Sequence, residues 1–180
     1  MHKPIAETQK LIANSQQLIA NNIWQLLEEV SDPEVPVLSI LDLGIVRGVA
    51  VEGDQVSITI TPTYSGCPAM NTIATDIRLR LLAEGYSNVT IRTQLRPAWT
   101  TDWMSAAGRQ KLEEYGIAPP VDGTATGHLL NLFGADTAVR CPLCKSDNTH
   151  LVSQFGSTAC KALYQCDDCR EPFDYFKCHA

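Results

Sequence analysis

The chain has 180 residues, 44% hydrophobic and 19% charged, with a formal net charge of −6. That length suits one ordinary domain, or one compact domain plus a small module, and the acidic balance argues against a broad nucleic-acid-binding or anionic-lipid-binding surface. Charged residues interrupt the apolar runs, so no membrane span is expected, and the N-terminal residues lack a signal-peptide pattern. A cytoplasmic, reducing setting is therefore expected, in which seven cysteines mean metal or thiol chemistry rather than a disulfide framework.

Residues 8–30 predict a helix. Leu11, Ile12, Leu18, Ile19, Ile23, Leu26, Leu27 and Val30 recur mostly at three- and four-residue steps, and Pro33 and Pro36 end the pattern. Asn21-Asn22 weakens the middle, which marks residues 1–22 as a helical extension. Residues 45–51 and 55–61 read as strands joined by the tight turn Glu52-Gly53-Asp54, with Val56, Ile58 and Ile60 alternating with Ser57 and Thr59. Residues 68–84 read as a helix capped by Gly85, residues 89–95 as a third strand, and residues 105–115 as a short helix ending at Gly116. This order predicts an α+β domain over residues 23–118, a small mixed sheet with helices packed on one face. Residues 119–138, rich in Pro, Gly and Thr at their start, read as a linker, and residues 139–180 as a separate C-terminal module.

That module carries Cys141-Pro-Leu-Cys144 and Cys166-Asp-Asp-Cys169, two C-x-x-C pairs with 21 residues between them. Each pair makes a tight turn that aims two thiolates at one point, and two such turns on adjacent hairpins complete a tetrahedron. Residues 149–155 and 159–165 suit the strands of that ribbon. The spacing predicts structural Zn2+ in a zinc-ribbon module, while four sulfurs also fit an iron–sulfur site. A module of this size needs such an ion to hold itself together.

The loop Thr61-Pro-Thr-Tyr-Ser-Gly-Cys67-Pro68 connects the second strand to the second helix. Pro68 suits the first helical position, which puts Cys67 at the N-cap, where unpaired N–H groups and the helix dipole favour a thiolate. Cys67 is then a nucleophile or soft-metal ligand, against the alternative of a small buried cap. Asp32, Glu34 and Asp42 either cap turns or lie near Cys67 and tune it. Cys160, with Cys178 and His179, is either an additional ligand or a satisfied thiol. Trp99 and Trp103 read as packing residues, and His128 and His150 as solvated.

Asp32-Pro-Glu-Val-Pro-Val-Leu-Ser-Ile, Asp42-Leu-Gly-Ile-Val and the Cys67 loop together resemble the metal–sulfur cluster biosynthesis family, which includes SufT and a subunit of the eukaryotic cytosolic iron–sulfur targeting complex. Leu95-Arg-Pro-Ala-Trp-Thr-Thr-Asp-Trp-Met, Tyr115-Gly-Ile-Ala-Pro-Pro, Phe155-Gly-Ser-Thr-Ala-Cys-Lys-Ala-Leu-Tyr and Cys169-Arg-Glu-Pro-Phe-Asp-Tyr-Phe-Lys resemble its phenylacetate-degradation branch. The resemblance spans residues 23–178. It implies an α+β fold, a bacterial cytosolic setting and a place in phenylacetate catabolism. Cys67 matches the family's loop cysteine, implicated in cluster handling, and Asp32 and Glu34 its acidic motif. The expected role is a non-enzymatic factor assisting iron–sulfur cluster assembly or delivery for the phenylacetyl-CoA epoxidase, with its ferredoxin-type reductase as client. Other epoxidase subunits and the iron–sulfur assembly machinery are further expected partners, a transient iron–sulfur cluster is the expected cargo, and homo-oligomerisation is left open. The rival readings are a structural component of the epoxidase, a thiol-dependent enzyme and a nucleic-acid zinc ribbon. The acidic charge disfavours the last, and no histidine lies near Cys67 in sequence to serve the thiol enzyme.

Overall fold

The computed structural model describes residues 5–121 and 139–177, with side chains from residue 15 onward. Most of the expected linker, His128, Cys178 and His179 lie outside the described residues.

Helix α1 (Ile5–Glu28) runs without a break through Asn21-Asn22. Asparagine costs a helix only a few tenths of a kcal/mol, too little to divide it. The apolar stripe buries Ile23, Leu26, Leu27 and, just past the helix, Val30. Leu18, one register row earlier, is exposed. The chain then turns through the acidic motif. Asp32 Oδ1 accepts from the backbone N–H groups of Glu34 and Val35, each at 2.8 Å, which fixes the loop around Pro33.

Strands β1 (Val46–Glu52) and β2 (Gln55–Ile60) pair antiparallel across a turn at Gly53, and β3 (Val89–Thr93) joins β2 in parallel. The parallel pairing requires a crossover, which α2 (Ala69–Ala83) supplies. Val56, Ile58 and Ile60 point to one face of the sheet, where they are buried with Ile73, Ile77 and Leu81 of α2 and Ile23 and Leu27 of α1. Each such side chain contributes about 1.5–3 kcal/mol when fully removed from water. Tyr86 N–H donates to Leu81 O and Gly85 N–H to Leu82 O, so α2 closes with Gly85 at φ +90°.

Helix α3 (Ala106–Tyr115) begins at a Ser105 cap that accepts from Gly108 N–H and ends at Gly116 in the left-handed region. Its first turn sits against the Asp42-Leu43-Gly44 corner. A Cβ on Gly44, whose φ is +67°, would lie 2.3 Å from Trp103 O, and one on Gly108 would lie 2.9 Å from Asp42 Cβ. Only glycine permits these approaches. Trp99 is buried in the same region and donates its indole N–H to Leu43 O at 2.8 Å. Trp103 instead stacks against the Arg47 guanidinium at 3.6 Å, so the two tryptophans serve different surroundings.

The C-terminal module is a three-stranded antiparallel sheet, β4 (Thr149–Ser153), β5 (Lys161–Cys166) and β6 (Pro172–Phe176), with β5 central. Strand β6 is not among the predicted elements. Pro172 conceals it, because proline reads as a break but is tolerated as the first residue of an edge strand. The ribbon has its own small core of Ala118, Val139, Cys141, Cys166 and Phe173, with Tyr164 stacked on Phe173. Its other end does not stand free. Cys160 and Phe176 belong to the main core, where Phe176 meets Trp99 edge-on at 6.2 Å between ring centres. Residue 118 extends the β6 edge, with Ala118 N–H donating to Asp174 O at 2.8 Å and Phe176 N–H to Ala118 O at 3.0 Å. The α+β layer and the ribbon therefore share buried surface.

Candidate functional site

Two separate groups of cysteines emerge. The first is the ribbon group. The ligand sulfurs of Cys141, Cys144, Cys166 and Cys169 all lie within 4.8 Å of one another, with Cys141–Cys169 at 3.8 Å and Cys144–Cys166 at 3.5 Å. Each C-x-x-C pair closes a turn in which the residue after the second cysteine bonds back to the first. Lys145 N–H donates to Cys141 O and Arg170 N–H to Cys166 O, both at 3.0 Å. Lys145 and Arg170 adopt φ of +66° and +65° to do so, a strain that the closed turn sustains. Backbone N–H groups of Cys169 and Asp168 then point at the Cys166 sulfur and hold its thiol down, at about 7.

These dimensions test the ion. Bonds of about 2.3 Å to a central zinc put tetrahedral sulfurs about 3.8 Å apart, and the observed spacing fits a single ion. An iron–sulfur cluster spreads its cysteine ligands over several irons, and so farther apart. The four-cysteine group is a metal-binding group with four soft donors and no open position.

The second group surrounds Cys67, at the carboxyl end of β2, where the strand-to-helix loop of a parallel unit usually carries its ligand. Pro68, not Cys67, takes the cap position of α2, so Cys67 stands one residue farther out than predicted. The backbone N–H of Ala69 and the hydroxyl of Thr63 nonetheless favour its thiolate, and the Tyr64 phenol feels its charge. The expected depression of its pKa is not found. Burial pushes the Cys67 thiol up, the carboxylates of Glu34 and Asp32 add to this, and Ala69 N–H and Thr63 offset only part. A local helix-end argument counts the donors but not the desolvation.

Cys160 does not join the ribbon group. It lies just ahead of β5, only 4% exposed, and its Sγ donates to Glu34 Oε2 at 3.4 Å. Burial, with the Glu34 charge beside it, pushes this thiol up to about 12. Tyr64 spans the group: burial and the nearby Cys67, Glu34 and Cys160 push its phenol up to about 12. Asp32 is raised by burial, although it accepts two backbone N–H bonds and feels the Lys161 ammonium. Lys161 is itself 5% exposed and pairs with Asp174 at 3.6 Å. Thr63, Tyr64 and Lys161 are not among the residues that motif and spacing single out. The one local signal for Lys161 is a lysine opening a mostly apolar strand.

Asp42 is elsewhere. Its carboxylate accepts from Lys111 Nζ at 2.6 Å, Ser105 Oγ at 2.7 Å and Ser39 N–H at 3.2 Å. Burial raises its pKa but these partners outweigh it, and the net shift is downward. The Asp42 carboxylate thus serves the α3 corner rather than the Cys67 group. His150 stands on β4 with Nδ1 3.1 Å from Asp167.

Comparison with known proteins divides the chain in the same way. Residues 20–91 match the model of an iron–sulfur cluster assembly protein, and residues 125–177 that of the PaaD zinc beta ribbon domain. An Escherichia coli (strain K12) protein, provisionally named as one of the subunits of 1,2-phenylacetyl-CoA epoxidase, is 52% identical over 158 residues, covering 88% of this chain and 92% of the relative. The chain belongs to the PaaD family. The first half of this PaaD-family chain has relatives of its own. An Fe-S protein maturation auxiliary factor of Porphyromonas gingivalis (strain ATCC BAA-308 / W83) is 37% identical over 86 residues, 47% of this chain and 81% of the relative. The crystal structure of a DUF59 domain from Bacillus anthracis superposes with a TM-score of 0.53 at 29% identity, covering 56% of this chain and 96% of that one.

Proposed function

We propose that this chain is a non-catalytic, cytoplasmic accessory factor of phenylacetate catabolism that handles iron–sulfur cargo for the multicomponent phenylacetyl-CoA epoxidase, with the ferredoxin-type reductase as client. The observation that carries this reading is the Cys67 group. A half-buried thiol, favoured as thiolate by Ala69 N–H and Thr63 and opposed by burial and the charges of Glu34 and Asp32, lies in the half of the chain that matches iron–sulfur assembly proteins. Cargo in transit needs soft ligands that bind and then release it, and a partly open thiol leaves the iron's other positions to a partner's sulfurs. The ribbon group, with its four donors closed on one another, suits a resident Zn2+ that stabilises the module. Relatives of both kinds, one named for the epoxidase and one a maturation factor, support the pairing of pathway and role.

The test is the iron and sulfide content of the reductase purified from cells carrying Cys67→Ser. The variant should fold, keep its zinc and leave the reductase without its cluster. A fully loaded reductase in a strain lacking this protein would refute delivery to that client. The second reading, a structural component of the epoxidase, is favoured by the name of the Escherichia coli relative. It predicts stable co-purification with the di-iron subunit.

A further inference from the structure

We propose that the outer edge of β3 is a docking edge for an acidic peptide in extended conformation, supplied by a partner protein and added to the α+β sheet as a further strand. This surface is separate from both cysteine groups and does not depend on what Cys67 carries.

Strand β3 ends the sheet order β1-β2-β3, so only one of its edges is paired. The parallel register sets Val89 beside Val56, Ile91 beside Ile58 and Thr93 beside Ile60. Val56 N–H donates to Asn88 O at 2.9 Å and Gln94 N–H to Ile60 O at 2.8 Å. That phase turns the backbone groups of Thr90 and Arg92 toward β2, and those of Val89, Ile91 and Thr93 outward. The outward N–H and C=O groups have no partner among the described residues. Residues 92–98 are all exposed, so nothing described covers this edge. Unpaired backbone groups in such a row are a template for an added strand.

Side chains decide which strand can be added. Between Glu84 and Asp102 the only charged residues are Arg92 and Arg96, in a chain whose net charge is −6. Neither guanidinium has a hydrogen bond or ion pair among the described residues. Val89 and Ile91 pack against the core, so Arg92, paired with Thr59 of β2, stands on the opposite face of the sheet. A docked strand then has two sides. Its carboxylates lie beside Thr90 and Arg92, and its apolar residues beside Val89 and Ile91. Leu95, 56% exposed just past β3, offers an apolar contact at one end.

A second copy of this chain is a poor occupant. Antiparallel pairing of two β3 strands about Ile91 would set the two Arg92 side chains about 7–8 Å apart on one face, with no carboxylate from either strand between them. Charges that repel a second copy attract an acidic strand. The edge also leads toward the candidate site. Strand β3 runs parallel to β2, and Gln94 N–H bonds Ile60, the last residue of β2, from which the chain enters the Cys67 loop. A partner held on β3 is thereby aligned with the Cys67 end of the sheet.

The experiment is binding of the zinc-loaded full chain to a short synthetic peptide that alternates glutamate with valine, followed by fluorescence anisotropy and by site-resolved amide hydrogen exchange. Binding should weaken with added salt. It should slow exchange at Val89, Ile91 and Thr93 and leave Thr90 and Arg92, already bonded to β2, unchanged. Reversing both charges, with Arg92→Glu and Arg96→Glu together, should weaken binding at least about tenfold. Thr93→Pro removes one outward N–H while keeping the β2 ladder, and should weaken binding too. N-methylation of the peptide's valines should do the same without touching the protein's fold. Absence of binding up to about 1 mM peptide overturns the docking edge, as does binding that leaves those outward amides unprotected. Equal affinity for a peptide with lysine in place of glutamate overturns the acidic partner. Concentration-dependent dimerisation that protects the same amides without peptide assigns the edge to a second copy instead.

Discussion

The Cys160 thiol hydrogen-bonds the Glu34 carboxylate at 3.4 Å across 126 residues of chain. The contact joins the acidic loop of the α+β layer to the loop that opens β5 of the ribbon. The Cys160 and Cys67 thiols are both pushed up by burial and by the Glu34 charge.

Glu34→Gln should therefore speed alkylation of Cys67. Removing a nearby negative charge lowers the pKa of a thiol, so more thiolate is present at any pH below it. In the wild-type chain the alkylation rate should rise with pH above the ordinary thiol value of about 8.5. Site-resolved mass spectrometry of iodoacetamide labelling against pH measures both. A wild-type Cys67 that titrates at or below that value contradicts the burial argument.

Chelation of the ribbon ion should disturb the main core as well as the ribbon. The four thiolates hold the module together, and Phe176 at its far end packs on Trp99. Loss of the ion should change Trp99 fluorescence and lower the thermal midpoint of the α+β layer. Phe176→Ala, which leaves the metal ligands intact, should cost about 3–5 kcal/mol in denaturant unfolding. Trp99 emission unchanged after complete zinc removal would mean that the two halves are energetically independent.

Asp42 makes a different kind of contribution. Its folded pKa is lowered, so the stability it supplies is fully present above its unfolded value of about 3.9 and fades as pH falls through the lower folded value. Asp42→Asn should destabilise by about 1–3 kcal/mol at neutral pH, through the charged bonds to Lys111 and Ser105. The gap between variant and wild type should narrow steadily below about pH 4. Urea midpoints for both proteins between pH 3 and 7 test this, and a pH-independent gap counts against it.

Gly44→Ala should be more damaging than its size suggests. The position has φ +67°, and the added methyl would meet Trp103 O at 2.3 Å. The left-handed backbone alone costs an alanine about 1–3 kcal/mol, and the clash adds to it. Thermal denaturation is the check. Gly53, which has a positive φ but nothing within 4 Å of its Cβ position, is the control and should suffer only the backbone part.

Much of this was written locally. The C-x-x-C pairs needed only their spacing, because each turn aims its own two sulfurs and the pairs meet once the hairpins form. Alternation in β2 and the Gly116 stop of α3 marked their elements for the same reason: each is a short-range pattern of burial or of backbone conformation. Strand β6 escaped because Pro172 imitates a break. What the sequence by itself determined, then, was the α+β layer, the four-cysteine group and the candidacy of Cys67. Tertiary structure alone decided the rest. It put Asp42 on Lys111, and Cys160 on Glu34 rather than with the ribbon cysteines. It also reversed the sign expected for Cys67, because desolvation depends on what the rest of the chain packs around a sulfur, which no local spacing encodes.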